Sequence, residues 1–487
     1  PPARNEMPPI QRRGNRPVIS NSQTRAWIPY GFIVIHSSAP GTGLSQGCPT
    51  IGTRIEALAP KAVIDWLNGR AKGFTTPDGT EELKAYWTTG KVGMIGTSYN
   101  GTIPFAAATT GVEGLEAIIP VSPNNSYYHY YRSNGLVRSP GGYLGEDADV
   151  LYDFIHSNPD SRDYCNCNIR DKEMAEGMDR VTGDYNEFWS QRDLMNYMND
   201  FRAATLMAHG FNDWNVMISH SIRYMDVLKQ KNVPLQVYFH QGGHGGEPPF
   251  SMMNKWFTRY LFGVQNNVEN DPKVQIVREK DDRQKPTAYP DFPNPEARPV
   301  ELFLSPGAPK AGSLVMEKPS GNTYETLVDN YSFSGSTLAQ AEWTEHRLLY
   351  VTPPLKEDVH ISGIPKIKIR GLSNKSAVNL SVWLVALPWS NARDAQITDN
   401  IITRGWADLQ NSKSISESEP LAVGRFYDMT FDLEPDDQII PAGKQIGLMI
   451  FSSDREFTLW PDPGTRLTVD LNGTSLTLPV VGGVASL

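Results

Sequence analysis

Apolar positions in the first half of the chain fall into two periods. Residues 31–37 (Gly-Phe-Ile-Val-Ile-His-Ser), 92–97, 117–121, 204–209 and 235–240 are short apolar runs bounded by turn residues, the pattern of strands buried on both faces. Between them, residues 55–68 place Leu58, Ala62, Val63, Trp66 and Leu67 at helical spacing, with Gly69 as a stop signal. A second helix is predicted over 219–231, with Ile222, Met225 and Leu228 on its apolar face, and a third over 249–262. This alternation predicts a parallel α/β sheet. From 127 to 203 aromatic and charged residues dominate and strand signals vanish, so a mostly helical insertion is expected. Residues 264–298 are polar and proline-rich without strong periodicity, which reads as a linker. After Pro299 short alternating runs (301–304, 366–369, 378–385, 447–451) recur between turn signals and predict a β-sandwich of jelly-roll type. The expected division is an α/β unit over 1–126 and 204–265, a helical cap over 127–203, a linker over 266–298 and the sandwich over 299–487.

Composition narrows the class. A chain of 487 residues exceeds one hydrophobic core. Its net charge is −9 with no long basic run, so nucleic acid is not an expected partner. No apolar stretch reaches the roughly 18 to 20 residues that span a bilayer, so no membrane partner is expected either. Residues 1–24 hold no apolar run resembling a signal peptide. The three cysteines leave several states open: Cys48 paired with Cys165, Cys48 paired with Cys167, or three buried thiols. No histidine stands at ligand spacing from them, and no metal or cofactor is expected.

Candidate chemistry centres on Gly96-Thr97-Ser98-Tyr99-Asn100-Gly101, between a predicted strand and a predicted helix. A serine on such a turn is pushed out of the sheet, where a base can reach it; this is the logic of a nucleophile elbow. The usual motif has glycine two residues after the serine, whereas here that position is Asn100 and glycine follows at 101. Acyl transfer also needs a base and an acid that orients it, and in α/β-hydrolases the chain order is Ser, acid, His. The run ending at His209 leads into Asp213, and the run ending at His240 leads into His244. Ser98, Asp213 and His244 thus all follow C-terminal strand ends. The competing reading makes Asp213 a turn residue and His244 a loop residue. His36, His209 and His240, in or at the ends of strands, are read as structural, and His346 and His360 belong to the β-domain.

Gly-x-Ser-Tyr-x-Gly resembles the cocaine esterase and X-prolyl dipeptidyl aminopeptidase group of α/β-hydrolases (peptidase family S15). The X-prolyl dipeptidyl peptidases resemble this chain over nearly its whole length. The resemblance is carried by residues 62–70, 107–116, 130–137, 140–147, 209–210 with 213–216, 402–406 and 441–443. It implies a serine exopeptidase that releases Xaa-Pro dipeptides from free peptide N-termini. Ser98 would be the nucleophile, Asp213 the orienting acid, His244 the base and the Tyr99 N–H an oxyanion donor. Glu146 and Asn215 would hold the substrate α-ammonium, and Tyr127 and Tyr130 would line the proline pocket, with Trp214 among the substrate-binding residues. The sequence departs from the family at Tyr127, where tryptophan is common. It also lacks a match to the upstream tyrosine that supplies the second oxyanion donor: Tyr30 stands in the wrong context. The first strands of the hydrolase sheet are therefore expected to lie outside this chain, in a longer natural protein. Two rival readings are a general carboxylesterase or amidase of the cocaine esterase or α-amino acid ester hydrolase type, and a binding protein with an inactive hydrolase. Secretion is expected, with a cytoplasmic location as the alternative, and a homodimer is a further expectation.

Overall fold

The structure is a computed structural model and describes residues 21–487. Helix α1 (Arg54–Leu67) lies where it was expected, but its buried face is Ala57, Ile64 and Leu67, and Leu58 of the expected apolar set is 45% exposed. Strand β1 (Val92–Thr97) runs into α2 (Tyr99–Ala108), and β2 (Leu115–Val121) follows. The cap begins with α3 (Tyr127–Tyr131) and continues through α4 (Ala148–Ile155) and a π-helical segment, Asn166–Met174. It also contains a two-stranded hairpin, Arg132–Ser133 with Leu136–Val137, which the helical expectation for this stretch did not include. The sheet resumes with β3 (Ala204–Gly210), α5 (Ser219–Gln230), β4 (Leu235–His240) and α6 (Phe250–Phe262). Strands β1 to β4 lie side by side in chain order, all parallel. Their C-terminal ends therefore share one edge, where ligands gather in open α/β sheets.

Two expectations fail. Residues 31–37 form no strand: Phe32 and Val34 pack beside Ile95 and helix α6, but Ile33 and Ile35 are 58% and 42% exposed. An apolar run becomes a strand only where a neighbour accepts its ladder, and the described chain offers none there. Conversely, the stretch read as a linker holds β5 (Val274–Val277), parallel to β4, and β6 (Thr287–Tyr289), antiparallel to β5. Val274, Ile276 and Val277 are buried. A four-residue strand among polar neighbours is too short for periodicity to register, and the open edge of β4 recruits it.

Beyond β6 most of the regular structure is strand, joined by loops and short helical turns. Thirteen strands join in one hydrogen-bonded network around a large apolar core from Val300 to Val480, with a second buried cluster around Trp383, Met449 and Phe451. The pairs are antiparallel except Ala311–Val315 with Leu348–Val351. This domain presses on the hydrolase: Asn134 Nδ2 donates to the Trp406 carbonyl (2.9 Å), and the Ser219 N–H donates to Glu434 Oε2 (3.2 Å). A Cys48–Cys165 disulfide ties the loop before α1 to the cap, and Cys167 is an exposed free thiol. Among the described residues no helix is long and apolar enough to cross a membrane.

Candidate active site

The elbow is as tight as the sequence required. Ser98 sits at φ 63°, ψ −127°, a backbone strain that non-glycine residues rarely accept and that clusters at functional sites. The glycines on either side explain the shifted motif. A Cβ on Gly96 would fall 2.2 Å from the Asn100 carbonyl oxygen, and one on Gly101 would fall 2.5 Å from that of Val121. Glycine is thus needed where α2 crosses β2, three residues after the serine, and Asn100 is tolerated because residue 96 has no side chain. Tyr99 opens α2, so its N–H has no acceptor within the helix and is free for an oxyanion.

Asp213 follows β3 on a turn that saturates its carboxylate. Oδ1 accepts the N–H of Asn215 (3.1 Å) and of Val216 (3.0 Å), and Oδ2 accepts from His244 Nδ1 (2.7 Å). His209 Nε2 lies 3.3 Å from the same Oδ2. Burial alone would raise this acid, but the hydrogen bonds from His209 and His244 outweigh it and hold it at about 2. A carboxylate accepts only, so His244 carries its hydrogen on Nδ1 and leaves Nε2 as the basic atom. The loop bearing His244 leans over the elbow. The Gly245 N–H donates to Ser122 Oγ (3.1 Å), and a Cβ on Gly245 would lie 3.7 Å from Thr97 Cγ2, one residue from Ser98. His240 braces this loop from behind, accepting from the Gly242 N–H (3.0 Å) and donating to the Gly245 carbonyl (3.0 Å). Burial, with Arg283 nearby, lowers His240 to about 4, so it stays neutral in that role.

The cap supplies a row of aromatic rings leading away from the elbow. Centroids are 6.0 Å apart for Tyr99 and Tyr127, 6.2 Å for Tyr127 and Tyr130, and 4.6 Å for Tyr130 and Tyr131. Burial pushes all four hydroxyls well above their ordinary pKa, so they remain donors. Tyr130 donates to Asn215 Oδ1 (2.7 Å) and Tyr131 to Glu146 Oε1 (2.9 Å). Adjacent residues of α3 therefore hold the two acceptors that the sequence singled out. The neighbouring acid, Asp147, is already paired with Arg132 (2.9 Å) and Arg180 (3.1 Å). Glu146 has no cationic partner among the described residues. Burial raises its carboxyl to about 7 against the lowering effect of the Tyr131 hydrogen bond.

Trp214 stands apart from this row. Its indole packs 4.4 Å from the Arg404 guanidinium and against Trp406 of the β-domain, while its carbonyl accepts the Gly141 N–H (2.7 Å). Tyr30 packs against Phe250 with the rings tilted and is 53% exposed. Two residues of the site escaped sequence reading. Glu56, buried in the first turn of α1, accepts the Tyr99 hydroxyl and the N–H groups of Thr50 and Gly52 (3.0 Å each), fixing the ring beside the elbow. His209 is the other, and its i, i+4 spacing to Asp213 was the available signal.

With this geometry in hand, comparison with known proteins is direct. Residues 6–246 match the X-Pro dipeptidyl-peptidase (S15) family, and residues 266–482 match the X-Pro dipeptidyl-peptidase C-terminal non-catalytic domain. A protein of Rhodopirellula baltica, named as a candidate Xaa-Pro dipeptidyl-peptidase, is 63% identical over all of this chain, which spans 78% of that relative. The Xaa-Pro dipeptidyl-peptidase of Lacticaseibacillus rhamnosus is 32% identical over 92% of this chain and 62% of its own length. Among solved structures, an aminopeptidase from a marine sediment Thaumarchaeota archaeon superposes with a TM-score of 0.67 at 14% identity, covering 91% of this chain and 84% of that one. Both family matches and the curated relatives agree, and the chain belongs to the S15 family of X-Pro dipeptidyl-peptidases.

Proposed function

We propose that this protein is a serine exopeptidase that releases Xaa-Pro dipeptides from the free N-terminus of peptides. Ser98 Oγ attacks the carbonyl carbon of the second residue while His244 Nε2 takes its proton. The Tyr99 N–H steadies the oxyanion, and His244 returns the proton to the leaving amine as the C–N bond breaks. Water, activated by the same histidine, then cleaves the acyl-enzyme and frees the dipeptide. Tyr127 and Tyr130 form an apolar, rigid wall that suits a proline ring. The substrate ammonium binds Glu146 and Asn215.

The observation that carries this reading is Glu146: a partly buried carboxyl with no cationic partner among the described residues, linked towards the nucleophile by a row of rings. An enzyme that counts two residues needs such an anchor at a set distance from the scissile bond. The test compares Gly-Pro-anilide with N-acetyl-Gly-Pro-anilide. Loss of the ammonium is expected to lower kcat/KM by about 10- to 100-fold, the worth of one charged contact. Equal rates on both substrates would overturn the exopeptidase reading in favour of a general esterase or amidase.

A pH dependence follows from the same carboxyl. Because burial holds Glu146 near 7, it becomes neutral below that pH and loses its hold on a cation. KM for Gly-Pro-anilide is therefore expected to rise as pH falls through about 7, whereas KM for an uncharged phenyl ester stays flat. Parallel profiles for the two substrates would remove Glu146 from the binding site. The Cys48–Cys165 disulfide supports a secreted location, since such bonds persist in oxidising compartments.

A further inference from the structure

We propose that His209 is a positioning residue for the acid–base pair, holding the Asp213 carboxylate and the turn that carries it through one shared hydrogen. This rests on the reading of Asp213 and His244 as that pair. His209 lies at the end of β3 and is wholly buried. Its Nε2 is 2.7 Å from the Val216 carbonyl oxygen and 3.3 Å from Asp213 Oδ2. Both are acceptors, so Nε2 carries the hydrogen and shares it between them. With the hydrogen on Nε2, Nδ1 is free to accept, and Ser221 Oγ, 2.6 Å away on α5, donates to it. The circuit closes on itself. Asp213 Oδ1 takes the Asn215 and Val216 N–H groups, and the Val216 carbonyl returns to His209. Removing the imidazole would release the turn at both ends and leave a buried carbonyl without a donor.

The consequence reaches His244 through charge. Two N–H groups share Oδ2, one from each histidine, and each draws on the same negative charge. With the His209 donor gone, the carboxylate holds an imidazolium at His244 more tightly, and the acid limb of the rate profile moves to higher pH. Other groups facing this centre do not obscure that limb. His240 on β4 is lowered to about 4 by burial and Arg283, and His220 on α5 is driven well below its ordinary value by burial and Arg223. Tyr130 of the cap is pushed upward by burial and by Glu146. None of the three changes charge where the acid limb falls.

The experiment measures kcat/KM against pH for the full chain on an uncharged phenyl ester, which does not use Glu146 or Asn215. Asp213→Asn serves as the control, and Tm is recorded for each variant. His209→Phe is expected to lower kcat/KM by about tenfold, the loss of one hydrogen bond to a charged group, with the acid limb shifted upward. His209→Gln puts an amide N–H near the position of Nε2 and is expected to restore rate and limb together. A folded His209→Phe with the wild-type rate and limb would overturn the proposal, as would a His209→Gln as impaired as the phenylalanine variant. Should His209→Phe fail to fold, His209→Leu removes the same donor with a smaller, more adaptable side chain. The same upward shift supports the proposal and an unchanged limb overturns it. Full activity in Asp213→Asn would instead refute the acid–base reading itself, a failure distinguishable from that of His209.

Discussion

Ser98→Ala is expected to lower turnover on the order of 10⁴-fold or more without unfolding the protein. The hydroxyl is the attacking atom, and it stands on the strained turn at the C-terminal end of β1. The substitution removes a single oxygen. Alanine must still accept φ 63°, a strain the wild type already bears, so Tm is expected to stay close to that of the parent. Residual activity is left to the Tyr99 N–H and to substrate positioning, which survive the change. The measurement is steady-state turnover of Gly-Pro-anilide by variant protein produced free of wild-type enzyme, with fluorophosphonate labelling as a second readout. Retained turnover together with retained labelling would place the nucleophile elsewhere.

The second large effect separates binding of the substrate terminus from the chemistry. Glu146→Gln is expected to cost Gly-Pro-anilide about 10- to 100-fold in kcat/KM, the loss of one charge-assisted contact at about 1.4 kcal/mol per decade. The uncharged phenyl ester is expected to lose little. Stability should move the other way. The folded-state pKa of about 7 lies above the ordinary carboxylate value, so this group favours the folded state fully below its unfolded pKa and loses that contribution as pH rises through about 7. Charged Glu146 therefore burdens the wild type above neutrality, and glutamine, which can still accept from Tyr131, does not. The variant is expected to melt higher than the parent at pH 8 and to lose that advantage at pH 5. A variant poorer on both substrates with a lower Tm at pH 8 would make Glu146 a packing residue rather than an anchor.

Pairing these outcomes guards against a common ambiguity. A slow variant that is also unstable says little about a site, whereas a slow variant more stable than its parent identifies a group kept at a cost to the fold. Glu146 has the features of such a group: burial raises its pKa, Asp147 takes the arginines beside it, and one tyrosine holds it.

Much of this was written in local pattern. The parallel strands, the cap, the β-domain and the order Ser98, Asp213, His244 follow from apolar period and turn chemistry, which act over a few residues and survive in any context that buries them. Glycines at 96 and 101 were legible as an elbow because only residues without a Cβ fit so close an approach. Other features depended on neighbours distant in sequence. The apolar run at 31–37 is not a strand because none of the described residues pairs with it, and the short run at 274–277 is one because β4 presents an edge. The choice of Cys165 over Cys167 for Cys48 came from the packing of the cap on the loop before α1. His209 and Glu56 look like ordinary core and helix-end residues until the fold sets them against Asp213 and Tyr99. Local sequence sets which elements form and in what order, because propensity and period are short-range. Which hydrogen-bond groups meet in the buried interior is settled by tertiary packing, because a buried donor or acceptor must find its partner wherever the fold brings one.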